Sequence, residues 1–285
     1  MDARTPPLVE LVEPDPNLSR ALAYVLECQG YRVRLAGGVE EARVHLALSA
    51  AIDTPPGWRP TDPIDTPPGW RPTDPIDTPP GWRPTDPIDT PPGWRPTDPI
   101  DLLLTEVVLP DGRGFDLCRE VRAHDSTKHA FVVFLSQTAA EVDRILAFEM
   151  GADDFVSKPF SMRELILRLR ALQRRTPRAR AAGGPLSDGR VFLDADQHRL
   201  QIDGRAAHTT RLETRLLGVL LAQPHRVFSR EELLVSVWGQ DVHRDARTVD
   251  CTVRRLRAKL GHAGAALKTV RGVGFAWRGV GLDRR

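Results

Sequence analysis

The sequence predicts two domains, an α/β domain built on a parallel sheet followed by a smaller, basic α+β domain. Three observations predict it. Strand-like and helix-like runs alternate from about residue 8 to about residue 175. Near the C-terminus an amphipathic helix, a basic helix and a glycine-containing hairpin follow one another. Charge divides in the same way: residues 181–285 hold 18 basic and 11 acidic side chains, net +7, whereas residues 1–180 hold 22 and 27, net −5. A basic module behind an acidic one suggests a nucleic-acid reader tethered to a regulator. A chain of 285 residues has room for two such domains, each with a sizeable core.

Taken in order, Leu8–Val12 (LVELV) reads as the first strand, and the turn-rich EPDPN (13–17) follows it. Asn17 is read as the cap of a helix with apolar positions Leu18, Leu22, Val25 and Leu26. Residues 31–35 (YRVRL) alternate as a strand does, and residues 39–48 are helical in pattern. Then IDTPPGWRPTDP occurs four times in tandem, from Ile52, Ile64, Ile76 and Ile88, with a partial fifth copy at Ile100. Each copy has four prolines in twelve residues, which excludes helix and central strand. Trp and Ile alone cannot supply a stacked solenoid core, so a semi-extended, polyproline-like spacer of 48 residues (52–99) is expected. Added loop length costs little closure entropy. The regular Trp58, Trp70, Trp82 and Trp94, each followed by Arg, offer a stacking surface for a partner or nucleic acid. The plainer reading is a tolerated expansion of one loop unit.

Past the repeat, residues 101–109 (DLLLTEVVL) form a near-continuous apolar run, as in a strand buried on both faces. PDGRG (110–114) is a turn before a helix that starts at 115–122. FVVFL (131–135) is a further buried strand, 139–150 a helix, 155–157 a short strand and 162–175 a helix. Five strands and five helices alternate.

With LPDGRGFDLCREVR, GADDFVSKPF and MRELILRLRALQRR in view, residues 8–175 resemble a response-regulator receiver domain. The resemblance implies a doubly wound, five-stranded parallel α/β fold with its site at the carboxyl ends of the strands. The receiver is set at 7–175 and a basic, Pro/Gly-containing linker at 176–187. Residues 189–204 resemble the small β-element that opens the effector domain of this family.

In the effector region, residues 229–239 (SREELLVSVWG) read as a capped amphipathic helix, with Ser229 as N-cap and Glu232 three residues on. Arg247–Leu260 (RTVDCTVRRLRAKL) places Val249, Val253, Leu256 and Leu260 on one stripe and keeps Arg254, Arg255, Arg257 and Lys259 mostly off it. KTVRGVGFAW (268–277) has β-branched and aromatic residues around Gly272 and Gly274, as a hairpin needs. Helix, basic helix and hairpin make a winged helix-turn-helix, set at 188–280. It resembles the DNA-binding domain of OmpR/PhoB-type response regulators.

Receiver chemistry, as the resemblance implies, is metal-assisted phosphoryl transfer onto an aspartate at the end of the third strand. That position is Glu106 here. The acidic pair after the first strand falls on Glu13 and Pro14, which leaves Glu13 and Asp15, one residue on, for the acidic pocket. Magnesium demands near-octahedral oxygen ligation, so a lost carboxylate and a lengthened one are expected to compromise its binding. No other cofactor is expected. Lys158, in KPF, takes the phosphate-binding place, Ser136 the switch hydroxyl and Phe155 the switch aromatic. Three readings of Glu106 stay open: a partial mimic of the phosphorylated state, with fewer charges and oxygens than phosphate; a structural partner of Lys158 in a decayed site; and residual phosphorylation.

The resemblance also implies a dimer face through charge pairs across a two-fold axis: Arg144 with Glu164, Asp154 with Arg168, and Asp153 with Arg175. Such pairs carry little energy singly but fix register. On DNA, Arg247, Thr248 and Arg254 take phosphate contacts, Trp238 packs on the backbone, and Arg255 takes a guanine edge. Thr252 stands at a base-reading position with Arg257 on the same helix, and Thr269 and Arg271 belong to the wing. Arg271 has packing against the domain's own sheet as its alternative.

The function read from these residues is a DNA-binding transcriptional regulator, phosphorylation-independent, that dimerises on tandem half-sites of double-stranded DNA. The alternatives are a conventional regulator phosphorylated by a histidine kinase and a receiver-like interaction module whose repeat recruits a partner. RNA polymerase is a further partner to consider. No nucleophile–base constellation supports an enzyme. Cys28, Cys118 and Cys251 are scattered without a CxxC pair, and no apolar run approaches about 20 residues. The N-terminus MDARTPP lacks a signal-peptide core, so a cytoplasmic protein without membrane partners is expected.

Overall fold

The computed structural model describes residues 6–48, 99–137, 140–173, 185–195, 197, 199–239 and 247–279. The first domain alternates strand and helix: β1 (Leu8–Val12), α1 (Pro16–Cys28), β2 (Arg32–Ala36), α2 (Val39–Leu46) and β3 (Leu102–Glu106). A two-stranded hairpin, β4 (Val108–Leu109) and β5 (Gly112–Arg113), interrupts the alternation. Then come α3 (Gly114–Ala123), β6 (Phe131–Ser136), α4 (Glu141–Met150), β7 (Asp154–Ser157) and α5 (Met162–Gln173). The five long strands pair in parallel in the order β2-β1-β3-β6-β7. Every residue of β1, β3 and β6 is buried, because helices cover both sheet faces. The order reverses between β1 and β3, and the crevice that this opens lies at the carboxyl ends of the strands.

Two local details differ from the expectation. Helix α1 begins at Pro16 and is capped by Asp15, whose Oδ1 accepts from the Asn17 N–H at 2.8 Å and the Leu18 N–H at 3.4 Å. Asn17 is therefore not the cap: Pro16, with its fixed φ and no N–H to satisfy, suits the first helical position and selects the residue before it. The apolar run 101–109 also does not continue as one strand, since it turns into the β4–β5 hairpin after Val107.

The segments on either side of the repeat are tied directly. The Leu8 N–H donates to Asp101 Oδ2 at 3.0 Å, and the Asp101 N–H returns to the Leu8 carbonyl at 2.9 Å. Asp111 caps α2 from 72 residues away, accepting from the Val39 and Glu40 N–H groups at 2.7 and 2.9 Å. The repeat up to residue 98, the linker 176–184 and Arg175 lie outside the described residues.

The second domain starts with a four-stranded antiparallel sheet, β8 (Leu186–Ser187), β9 (Val191–Asp194), β10 (Arg199–Ile202) and β11 (Arg205–Ala207). There follow α6 (Arg211–Ala222), β12 (Phe228–Ser229), α7 (Arg230–Trp238), α8 (Arg247–Leu260) and the hairpin β13 (Leu267–Val270) and β14 (Gly274–Trp277). The last two strands join β12 in one antiparallel sheet. Both α6 and α7 open on reciprocal capping boxes, Thr210 with Glu213 and Ser229 with Glu232. Gly272 supplies the hairpin's positive φ of 73°. Val249, Val253, Leu256 and Leu260 of α8 are buried as the stripe requires. They share one apolar cluster with α6, α7 and the inner face of α5. The two domains thus pack through continuous apolar contact.

Candidate functional site

The crevice of the first domain holds three charged side chains. Glu13 follows β1, Glu106 ends β3 and Lys158 follows β7, so the parallel sheet delivers all three to one end. The Lys158 ammonium lies 2.5 Å from Glu106 Oε2 and 2.7 Å from Glu13 Oε2, and all three side chains are at least 95 % buried. The Val107 N–H fixes the other Glu106 oxygen at 2.9 Å, and the Asp15 N–H reaches Glu13 Oε1 at 3.2 Å. Gly114 makes this fit: a Cβ there would lie 2.1 Å from the Glu106 carbonyl oxygen.

Two carboxylates share one ammonium, and the proton affinities follow. Burial raises the Glu106 pKa despite the Lys158 charge, and the neighbouring Glu13 adds to the rise. Burial alone would lower Lys158, but Glu106 and Glu13 outweigh it and hold the ammonium above its ordinary value. Ser136 is buried nearby, its carbonyl accepting from the Lys158 N–H at 2.6 Å. Phe155 is buried too and stacks on Phe134 with ring centroids 6.4 Å apart.

Asp15 does not join this group, because its carboxylate caps α1. Its expected place in the acidic pocket is corrected accordingly. The donor set does not fit magnesium: Pro14 offers no carboxylate, and the carboxylates present already hold an ammonium. Among the described residues no three His, Cys, Asp or Glu side chains are grouped to hold a metal.

The basic helix α8 lies along α4 of the first domain. Arg247 pairs with Glu141 and Arg254 with Glu149. Thr248 and Thr252 on the flank of the α8 stripe and Cys251 on its far side are buried, and Cys251 joins the apolar cluster of Ala147, Phe148 and Phe155. The Thr252 hydroxyl donates to the Thr248 carbonyl at 2.8 Å. Arg255 reaches Glu213 of α6 at 3.1 Å, and Lys259 reaches the same carboxylate at 2.6 Å. Together with the Thr210 backbone N–H they hold Glu213, although buried, below its ordinary pKa. Arg257 donates to the Leu267 carbonyl and to the Thr269 hydroxyl at 2.8 Å, tying helix to wing. Arg271 is exposed at the wing tip. Trp238 is fully buried at the domain junction, its indole N–H donating to the Asp153 carbonyl at 3.2 Å.

Four of the six residues read as a dimer face, Asp153, Asp154, Glu164 and Arg168, are engaged within the chain. Arg168 pairs with Glu164 at 2.7 Å and with Asp154 at 3.5 Å, and Asp153 pairs with Arg122 at 2.6 Å. Arg144 is partly buried on α4. Glu141, Glu149 and Glu213 are the site residues that the sequence reading missed. Thr210 and Glu213 were legible as a capping box; the contacts of Glu141 and Glu149 are long-range and left no local signal.

A doubly wound receiver fold joined to a winged helix defines a transcriptional response regulator. The comparisons agree. A family model described as "Response regulator receiver domain" matches residues 93–170, and one described as "Transcriptional regulatory protein, C terminal" matches residues 204–277. The chain is 39 % identical over 175 residues to the phosphate regulon transcriptional regulatory protein PhoB of Pseudomonas aeruginosa, covering 61 % of this chain and 76 % of that one. It is 37 % identical over 184 residues to the sensory transduction protein RegX3 of Mycolicibacterium smegmatis, covering 62 % and 79 %. A solved structure of a RitR mutant, 22 % identical, matches with a TM-score of 0.61 over 96 % of this chain and 100 % of that one, which shows the shared fold. The protein belongs to the OmpR/PhoB family of response regulators, which are DNA-binding transcription regulators. The receiver match starts inside the last repeat; β1, α1, β2, α2 and Glu13 rejoin it only in space. Among the described residues no helix is long and apolar enough to cross a membrane.

Proposed function

We propose that this regulator binds its operator without receiving a phosphoryl group. One observation carries the reading: the Lys158 ammonium, which would bind a phosphoryl oxygen, is already held at 2.5 Å by Glu106 and at 2.7 Å by Glu13. A carboxylate one methylene longer than aspartate fills the acceptor position, and Pro14 removes the second half of the acidic pair. The same structure keeps α8 packed on α4, so we assign Glu106 the role of a fixed counter-ion, short of a complete phosphoryl surrogate.

The DNA-bound form is proposed as a homodimer on tandem half-sites, with α8 in the major groove and the β13–β14 wing beside it. Asp153, Asp154 and Arg168 exchange their partners within the chain for partners across the two-fold axis. Anisotropy titration of labelled operator duplex, with and without acetyl phosphate and magnesium, tests the reading. Equal affinities support it. An affinity that appears only with the phosphoryl donor overturns it and makes the protein a conventional target of a histidine kinase.

A further inference from the structure

The amino ends of the sheet strands, opposite the Glu106 crevice, hold a cavity of about 400 Å³. Both domains line it. Arg32 opens β2, Asp101 leads into β3, His129 leads into β6, and Arg211 is the first residue of α6. The lining carries two guanidiniums, Arg32 and Arg211, against the one carboxylate of Asp101. Pro6, Pro99 and Ile100 give it an apolar side.

Arg211 is the side chain whose surroundings ask for a ligand. Its guanidinium carbon lies 5.2 Å from the Phe131 ring centroid, and that of Arg215 lies 5.5 Å from the same centroid. Two cations share one ring. Burial brings the Arg215 pKa down to about 10 although Asp153 opposes the fall, and the Arg211 charge adds to it. The carboxylate facing Arg211 does not settle this excess. Asp101 Oδ1 stops at 3.6 Å, too far for a hydrogen bond, while Asp101 Oδ2 accepts from the Leu8 N–H at 3.0 Å. The Arg211 Nε is buried and has no hydrogen-bond partner among the described residues. Buried donors ordinarily find one. A guanidinium presents its N–H groups as a planar fork, which matches the paired oxygens of a carboxylate or a phosphate.

We infer that this cavity is a binding site for a small organic oxyanion, its charged group held in the Arg211 fork with Arg32 beside it. The apolar part of such a ligand would lie against Pro6, Pro99 and Ile100, and Ser126 and His129 offer it polar contacts on the remaining side. Because the walls come from β2, β3, β6 and α6, the occupant touches both domains at once. The site is separate from Glu106 and Lys158, which lie at the other end of the strands.

The test is calorimetric titration of the full chain with phenyl phosphate and, separately, with benzoate, in about 0.1 M chloride to screen loose surface attraction. The parent is compared with Arg211→Gln and with Ser126→Asp. The second variant sits on an exposed loop, leaves Arg211 in place and can keep the hydrogen bond to His124 Nδ1, while adding a negative charge to the lining. It carries the test if Arg211→Gln does not fold. The expected result is saturable binding at one site with a Kd of about 1 mM or below, weakened about tenfold in each variant. Tighter binding of phenyl phosphate supports the inference with a phosphate ester as ligand, and tighter binding of benzoate supports it with a carboxylate. No saturable binding of either probe overturns the inference. Binding that survives both substitutions belongs to another basic surface and overturns it equally.

Discussion

Lys158 decides the chemistry of the receiver site, because one ammonium serves two buried carboxylates. Removing it leaves Glu13 and Glu106 facing each other without compensation, so Lys158→Met is expected to cost about 3–5 kcal/mol of stability in a denaturant titration. Glu106→Gln has a different signature. Its raised pKa means that the folded chain binds this proton more tightly than the unfolded chain does. The stabilisation linked to protonation is therefore fully present below the ordinary glutamate value and is lost as pH climbs through the raised one. Glu106→Gln should be at least as stable as the parent at neutral pH, and its advantage should vanish as the pH falls toward the ordinary glutamate range. A parent more stable than the variant at neutral pH would mean that the Glu106 charge is net stabilising. Chemistry should also be recoverable: Pro14→Asp with Glu106→Asp restores the missing oxygen ligands, and we expect acetyl phosphate with magnesium to phosphorylate that variant. Failure of the double variant to take up phosphate would show that more than these two positions is lost.

At the scale of elements, α8 shows what the sequence revealed and what it hid. Its buried stripe, its basic residues and the capped helix before it were legible, because period and capping are local properties. The pairing of α1 with Asp15 was missed, since two capping residues lay within three positions and only Pro16 separates them. Glu106, Glu13 and Lys158 were legible as a set only through the family resemblance, for 145 residues separate Glu13 from Lys158. The partner of Arg255 was not legible at all. Its guanidinium rests on Glu213 here, and we expect the same group to turn to a guanine edge in the complex. Arg255→Ala should then cost about 1–3 kcal/mol in operator affinity and relax preference at one base pair. Uniform weakening across all duplexes would make it a phosphate contact instead.

The whole molecule is a regulator whose basic helix α8 packs against α4 of its receiver domain. Long-range contacts of this kind leave no mark in composition or periodicity; the acidic and basic halves of the chain were the one hint, and Glu141 and Glu149 give it a location. The Thr248, Asp153 and Arg255 atoms left without hydrogen-bond partners at the junction cost about 1–3 kcal/mol each. Asp101 and Asp111 bind the segments before and after the repeat to each other. Whether phosphate has any part in the action of this regulator is tested most directly by sedimentation of the full chain, with intact-mass measurement, before and after incubation with acetyl phosphate and magnesium. The account predicts no phosphoryl adduct and an unchanged sedimentation coefficient; an adduct accompanied by dimerisation would contradict it.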